Sequence, residues 1–466
     1  MKTSRKTTLA LACAAGLLAS SGEALAINWL KMQGAEPPDA APRARVWGFI
    51  QPEFKQTEGT KIQAGGWSGQ NAIFNLSGPD LKSESGFSIK RARIGVRGTG
   101  FPLDNNVNYF FLAEFGNNGI TRQGGGSGRI TDASVTLNHI KGARIRVGQF
   151  KTPGSEEGLQ AIHVFDYINF TNGGNQLLLE RYFNGDGSSA KTTAGSVNKP
   201  NGPVSAFRDI GIQVFDWVTI GNWEHSYALM LGNGNGITRG DNDGNREVYT
   251  YWASELLLSG VSPFPSGSHL APPSWSADQH GPRGARYQSW KTYGWYQGGK
   301  RTLTTAGDGA GVYDRTRYGI GTTLRKGKIR AAAEYFVAKG MIFSGTDGGA
   351  VAGAQNNAGS AYADFNVETM GEANSWYLDF GYLILPKLEL DIRYDTLNRN
   401  TNFSAKERKF ETLTLGAQYF FNKKSRLLVN YELRNAEAPN AASSAAPNRI
   451  LDGMDNRMSA QLLIVF

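Results

Sequence analysis

The chain has 466 residues, of which 59 are glycine and one is cysteine; 11% are aromatic, 19% are charged, and the formal net charge is +9. Glycine well above its usual share of about 7%, with plentiful Tyr and Phe, favours strands joined by turns and excludes a disordered chain. The glycines keep no triplet period, a single cysteine excludes a disulfide scaffold or Cys-ligated zinc, and beyond the N-terminus no apolar run of about 18 residues offers a membrane-crossing helix.

Residues 1–26 read as a secretory signal. Lys2, Arg5 and Lys6 form a positive n-region, Leu9 to Ala19 an apolar core, and Ala24-Leu25-Ala26 a small-x-small cleavage site. Cys13 lies within that core with Ala10 three positions before it, so it is discarded with the signal rather than lipidated. Cleavage removes three basic residues and Glu23, lowering the net charge from +9 to +7. No Lys/Arg block of the kind used by nucleic-acid arms is present, so nucleic acid is not an expected partner. Residues 27–42 then form a short N-terminal periplasmic segment, and 43–466 the one large domain.

Sixteen segments within that domain read as strands: 43–56, 84–99, 105–116, 129–139, 142–152, 206–217, 221–233, 246–257, 288–297, 314–325, 328–340, 374–384, 387–397, 410–422, 425–436 and 455–466. Alternation is plain in 387–397, where Leu388, Leu390, Ile392 and Tyr394 oppose Glu389, Asp391, Arg393 and Asp395. It recurs in 129–139, in 410–422 and in 455–466, where Met458, Ala460, Leu462 and Ile464 oppose Arg457, Ser459 and Gln461.

A soluble β-sandwich also alternates, but its strands usually run to about five or six residues. These are long enough to cross a bilayer at a tilt, which takes about 9–11 residues. Short connections (Lys326-Gly327, Leu385-Pro386, 139–141, 218–220, 422–424) alternate with long Gly/Asn/Ser-rich ones (57–83, 153–205, 341–373, 437–454). Short periplasmic turns and long outer loops are the layout of an outer-membrane barrel. The fold class expected is therefore all-β: a transmembrane antiparallel β-barrel of about 16 strands. Residues 258–287, with Pro263, Pro265, Pro272 and Pro273, fall where this register wants a short turn. Either that connection is long, or the strands in 246–297 are misplaced.

Period two also aims charge. Arg91, Arg93 and Arg97 oppose Ala92, Ile94 and Val96, with Gly95 between the arginines; Arg144 and Arg146 oppose Ile145 and Val147; Arg315, Arg317 and Arg325 oppose Tyr318, Ile320 and Leu324. An arginine facing lipid at the midplane costs about 2–4 kcal/mol, which forces these rows into the lumen. There a guanidinium stays charged and presents a fork matched to phosphate or carboxylate oxygens. A column of such groups gives an anion successive weak sites. Arg91, Arg93, Arg97, Arg144, Arg146, Arg315 and Arg317 are the expected pore-lining anion-binding residues. Arg325, Arg330, Arg393, Arg434 and Arg457 also face inward, against Glu114, Asp132, Asp209, Glu334, Asp379, Glu389, Asp391, Asp395 and Glu432, so a wall of paired charges without anion preference is the competing reading. Segment 153–205, after the fifth strand, is long enough to fold into the barrel and set the pore diameter, or else to lie on the surface.

Several stretches, in order, resemble the phosphate-selective porin O/P family of Gram-negative outer membranes. They are Lys90-Arg91-Ala92-Arg93-Ile94-Gly95-Val96-Arg97-Gly98; Gly148-Gln149-Phe150-Lys151-Thr152-Pro153 with Glu156 and Glu157; Glu180-Arg181; Tyr227-Ala228-Leu229-Met230-Leu231-Gly232-Asn233-Gly234; Arg393-Tyr394-Asp395; and the closing Phe466. The resemblance implies a sixteen-stranded, trimeric barrel with a constricting third loop and an arginine-lined passage, and it matches Arg91, Arg93 and Arg97 to the family's arginine-rich second strand. Gly154 stands where the family often has an aromatic, and segment 153–205 lacks the lysine cluster expected of a phosphate selector.

No catalytic or metal constellation stands out. His139, His163, His225, His269 and His280 show no metal-ligand spacing and no serine or acid partner. Asp241-Asn242-Asp243-Gly244 with Glu247 is wrongly spaced for an EF-hand. The expected function is a passive diffusion channel preferring small anions, phosphate and polyphosphate among them, with no cofactor and no enzymatic activity. A non-selective porin, or a barrel with a structural or adhesive role, is the alternative. Expected partners are outer-membrane lipids and lipopolysaccharide, small anions, two further copies of the chain, and the barrel-assembly machinery through Phe466.

Overall fold

The computed structural model describes residues 30, 44–58, 61–72, 85–100, 104–118, 128–180, 205–237, 240–241, 243–258, 288–303, 311–345, 354–361, 365–422 and 424–466. Residues 1–29 and 31–43, which carry the expected signal and most of the short N-terminal segment, lie outside them. So do Arg181, His269 and His280.

Eighteen strands are present among the described residues: β1 (Arg45–Thr57), β2 (Ser85–Thr99), β3 (Val107–Glu114), β4 (Arg129–Leu137), β5 (Arg144–Lys151), β6 (Arg208–Ile220), β7 (Trp223–Gly232), β8 (Glu247–Leu257), β9 (Ser289–Leu303), β10 (Gly311–Lys326), β11 (Ile329–Lys339), β12 (Ile342–Gly345), β13 (Phe365–Glu368), β14 (Glu372–Leu385), β15 (Leu388–Arg399), β16 (Arg408–Asn422), β17 (Ser425–Glu437) and β18 (Arg457–Val465). All but β12 and β13 pair antiparallel with their neighbours, and β1 pairs with β18, closing a barrel of sixteen strands. Closure satisfies every wall strand on both sides and leaves no free edge, the only way a sheet can stand in hydrocarbon. β12 and β13 form a separate two-stranded ribbon in the connection between β11 and β14, where the sequence pattern predicts only a long Gly/Asn/Ser-rich loop.

Each of the sixteen expected strands has its counterpart. The uncertain region resolves in favour of a long connection: β8 and β9 pair directly from Val248↔Gly298 to Leu257↔Ser289, so both strands are correctly placed. One turn moves. β6 runs on to Ile220, so 218–220 belongs to the strand and the reversal falls at Gly221, whose φ of 59° glycine adopts without strain.

The two faces separate as period two requires. On β15, Leu390 and Ile392 are exposed while Glu389, Asp391, Arg393 and Asp395 are buried. On β18, Met458 and Ile464 are exposed while Arg457, Ser459 and Gln461 are buried. The exposed apolar rows form the lipid-facing band, and the charges lie inside.

Two bulges modify the pattern on the wall that carries the arginines. Gln51 pairs with Arg91 but Pro52 pairs with Ile89, so Lys90 is an extra residue. Lys90 and Arg91 are consequently both buried on the inner side, although they are neighbours in sequence. Likewise Leu112 pairs with Asp132 and Ala113 with Ile130, leaving Thr131 unmatched.

The described part of the connection after β5, residues 152–180, runs inside the barrel. Its Tyr167 hydroxyl donates to Asp379 Oδ1 on β14 at 2.7 Å, and its Ile168 amide to Asn430 Oδ1 on β17 at 2.8 Å. Asn172 Nδ2 donates to Asp395 Oδ1 on β15 and Thr412 Oγ1 on β16 at 2.8 and 2.9 Å. A surface loop would leave these partners to water; here the segment reaches strands more than 200 residues away in sequence.

Candidate functional site in the barrel lumen

All seven arginines singled out from the sequence are buried on the inner side of the wall. On β2, Gly95 separates Arg93 and Arg97; a Cβ there would stand 2.9 Å from Leu112 Cδ1 and 3.2 Å from Trp47 Nε1, so the position has room for glycine alone. The Arg97 guanidinium lies over the Trp47 ring and that of Arg93 over Phe49, at 5.5 and 5.6 Å to the centroids. Arg93 Nε also donates to Glu114 Oε2 at 2.7 Å. Arg91 Nη1 donates to a neutral acceptor, Gln51 Oε1, at 3.1 Å. Lys90, brought inward by the bulge, pairs with Glu53 at 2.7 Å and reaches the Ile168 carbonyl of the inserted segment at 3.2 Å.

On β5, Arg144 pairs with Asp216 of β6 at 3.3 Å and lies 4.0 Å over the Trp217 ring. Arg146 lies 4.3 Å over Phe215 and donates to Thr136 Oγ1 at 3.3 Å and to the carbonyl of Leu30 at 3.2 Å. Leu30 is thus a point of the N-terminal region seated inside the barrel.

Arg315 and Arg317 on β10 have a different setting. Arg315 Nε pairs with Glu180 at 2.5 Å and its Nη1 pairs with Glu247, which also takes Arg301 at 2.7 Å. Arg317 pairs with Glu180 at 3.3 Å and donates to the carbonyls of Leu177 and Met341. The sequence places Glu180 beside Arg181; the structure places its carboxylate among three arginines of β9 and β10, at the end of the described part of the inserted segment.

The opposite wall is a mixed network. Arg330 pairs with Asp166, Asp391 and Asp379, and Arg393 with Glu157 at 3.4 Å. The Tyr167 ring faces both guanidinium groups, at 5.6 Å from Arg330 and 4.3 Å from Arg393. Arg426 holds the carbonyls of His163 and Phe165. Lys291 pairs with Glu156 at 2.6 Å. These contacts fix the inserted segment against the far wall; on the near one Lys90 and Lys151 also hold its carbonyls, and Arg91, Arg93, Arg97, Arg144 and Arg146 stand along it, with Arg208 level with Lys151 across β5 and β6.

Lys90, Lys151, Arg208, Lys291, Arg301, Arg399 and Arg426 were missed as inward cations, as were Glu53, Asp216, Glu247 and Glu255 as inward acids. Most obey the parity of their strands: Lys291, Tyr293, Trp295 and Gln297 on β9 are all buried. Carrying period two outward from each strand centre would have found them. Lys90 breaks parity and needed the bulge.

The three described histidines do not assemble a site. His139 meets Asp104 at 2.5 Å in a turn, His163 packs on the Trp47 and Phe49 rings, and His225 meets Ser254 at 2.9 Å beside Trp223. In the Asp241–Glu247 stretch, Asp241 is taken by the Gly244 amide and Arg246. Among the described residues no group of three or more His, Cys, Asp or Glu side chains could hold a metal ion.

Residues 69–176 match the family model described as phosphate-selective porin O and P. That stretch contains the β2 arginine row, β3 to β5 and most of the inserted segment. No curated protein matches by sequence. Among solved structures, a loop-deletion mutant of OmpT from Vibrio cholerae is 10% identical, with 92% of this chain and 100% of that one covered and a TM-score of 0.50. Salmonella typhi OmpF in complex with daunomycin is 12% identical, covering 91% and 97%, with a TM-score of 0.51. An anion-selective porin from Comamonas acidovorans is 14% identical, covering 91% and 100%, with a TM-score of 0.49. The sixteen-stranded closure, the apolar outer band and the match over the arginine-bearing wall together make this chain an outer-membrane β-barrel of the porin fold, similar over residues 69–176 to the phosphate-selective porins O and P.

Proposed function

We propose that the protein is a passive diffusion channel with a preference for small anions. The observation that carries this reading is the near wall. There Arg91, Arg93, Arg97, Arg144 and Arg146 follow one another on the inner faces of β2 and β5, opposite a segment inserted into the lumen. Fixed guanidinium groups along a narrowed, low-dielectric passage raise the local concentration of anions and offer them successive weak sites. In this reading residues 152–180 form the constriction, and Arg315 and Arg317, bound to Glu180, hold its end in place. The chain acts without a cofactor and without catalysis.

The rest of the reading rests on the sequence and, for the trimer, on the family resemblance. The signal at 1–26 is removed on export, the barrel sits among outer-membrane lipids and lipopolysaccharide, Phe466 is read by the assembly machinery, and the chain forms a homotrimer. Phosphate is one permeant anion rather than the selected one, because residues 152–180 of the inserted segment bring acids (Glu156, Glu157, Asp166, Glu180) into the lumen and no Lys or Arg.

Purified protein in a planar bilayer tests this. A steady chloride current is expected, with phosphate reducing it only in the millimolar range. Absence of a conducting state would overturn the channel and favour a structural or adhesive barrel. Block below the millimolar range would make phosphate a specific ligand.

A further inference from the structure

The segment after β5 is not the only outer connection that turns inward. In the connection from β11 to β14, Met341, Ile342 and Phe343 are at most 1% exposed. Ile342 shares an apolar cluster with Leu177 and Leu178, which end a single helical turn, Gly174–Leu178, in the inserted segment. Two arginines join the same two elements. Arg317 donates through Nε to the Leu177 carbonyl at 3.1 Å, and through Nη1 and Nη2 to the carbonyls of Gly340 and Met341 at 2.9 and 3.0 Å. Arg399 donates to Gln176 Oε1 at 3.0 Å, while its guanidinium lies 4.5 Å over the Phe343 ring. Each therefore holds the helical turn on one side and the start of the β12–β13 ribbon on the other.

The same connection is also fastened at the outer rim. Its residues 354–361 meet residues 61–72, from the connection after β1. Trp67 Nε1 donates to the Ala354 carbonyl and Gln70 Nε2 to the Gln355 carbonyl, both at 2.8 Å. The Asn357 amide donates to the Gly66 carbonyl at 2.7 Å, and its Nδ2 to that of Ser68 at 2.8 Å. Ile62 and Trp67 pack with Ile450 of the short helix Ala446–Leu451, whose Arg449 donates to the Gln63 carbonyl at 2.9 Å. In the wall, β18, β17, β16 and β15 stand between β1 and β14, so this clasp joins connections from separate stretches of the rim.

We propose that Arg317 and Arg399 are positioning residues that couple this outer clasp to the inserted segment, so that a change at the rim reaches the constriction. A loop lying free on the surface would answer to its own contacts alone. Here the ribbon, the two guanidinium groups and the helical turn form one packed chain of contacts, and close-packed side chains pass a displacement on rather than absorb it. Asn400 adds a further hold on the ribbon, from its Nδ2 to the Phe343 carbonyl at 3.3 Å. The proposal rests on the channel reading for what the segment constricts, but the coupling itself is measured without any current.

The test is the rate at which Asn175→Cys, in the helical turn, is labelled by a soluble maleimide in detergent micelles; the chain's own cysteine, Cys13, falls in the expected signal. Trp67→Ala with Asn357→Ala opens the clasp and should speed labelling about tenfold, as local opening does when packing and hydrogen bonds are lost. Arg399→Met should speed it with the clasp intact, and the clasp substitutions should then add little, because contacts along one path are not additive. Should Arg399→Met fail to fold, Gln176→Leu removes the same hydrogen bond from the other side and carries the same expectation. Asn440→Ala removes outer-loop hydrogen bonds to Ser404 and Glu407, away from the ribbon, and should leave the rate unchanged. An unchanged rate in the clasp variant, effects that simply add, or an equal rise from Asn440→Ala would overturn the coupling. The expected labelling pattern in a protein that carries no current would overturn the channel and leave the coupling.

Discussion

The last residue, Phe466, closes the barrel on Gly48. The Phe466 amide donates to the Gly48 carbonyl at 2.9 Å, and the Gly48 amide donates to the Phe466 carbonyl at 3.1 Å. The ring of Phe466 lies across the same glycine on the outer face, where a Cβ would stand 2.5 Å from Cζ. An aromatic laid over a strand glycine is one of the devices that pin register.

Gly48→Val should therefore displace the Phe466 ring and weaken closure. Overpacking of this kind costs about 1–3 kcal/mol. The folded, heat-modifiable band on a gel should convert at lower temperature than in the unaltered protein. An unchanged conversion temperature would show that the contact is incidental.

Arg91 and Arg93 separate charge from structure. Arg93 pairs with Glu114, which also accepts from the amides of Ala92 and Gly116 at 2.9 and 2.8 Å. Arg93→Ala leaves that buried carboxylate short of its cation, at a cost of about 3–5 kcal/mol. The acceptor of Arg91 is the neutral Gln51, so Arg91→Gln should change stability by less than about 1 kcal/mol and still reduce anion preference. Guanidinium unfolding and reversal potentials of the two variants check both halves. Equal destabilisation by the two would contradict the assignment.

Glu180 is the carboxylate on which Arg315 and Arg317 converge, and its own φ of 50° is unusual for a residue other than glycine. Glu180→Gln removes the charge and keeps the shape. The end of the inserted segment should then loosen, giving noisier single-channel currents and a higher mean conductance. Currents indistinguishable from those of the unaltered protein would show that the segment is held elsewhere.

The wall was legible in the sequence because a residue's parity decides whether it meets lipid or lumen, and a misplaced arginine is costly. Leu390 and Ile392 against Asp391 and Arg393 could be read directly, and all sixteen wall strands followed. The interior was legible only in part. Lys90 turns inward through a bulge that period two cannot announce. Trp47, Phe49, Phe110 and Leu112 belong to the stretches 46–50 and 109–113, which are apolar on both faces, so that composition there no longer distinguishes inside from outside. The pairing of Glu180 with Arg315 joins residues 135 apart in sequence, and nothing local encodes it. The seven arginines were found as a set; their division into a near-wall column and a clamp on the inserted segment came from their partners.

The most direct test of the channel's charge preference is the zero-current potential across a planar bilayer in a KCl gradient. The column of Arg91, Arg93, Arg97, Arg144 and Arg146 predicts a potential whose sign shows chloride more permeant than potassium, shrinking as ionic strength rises and screens the wall. A potential of the opposite sign, or one of zero at low salt, would contradict the account.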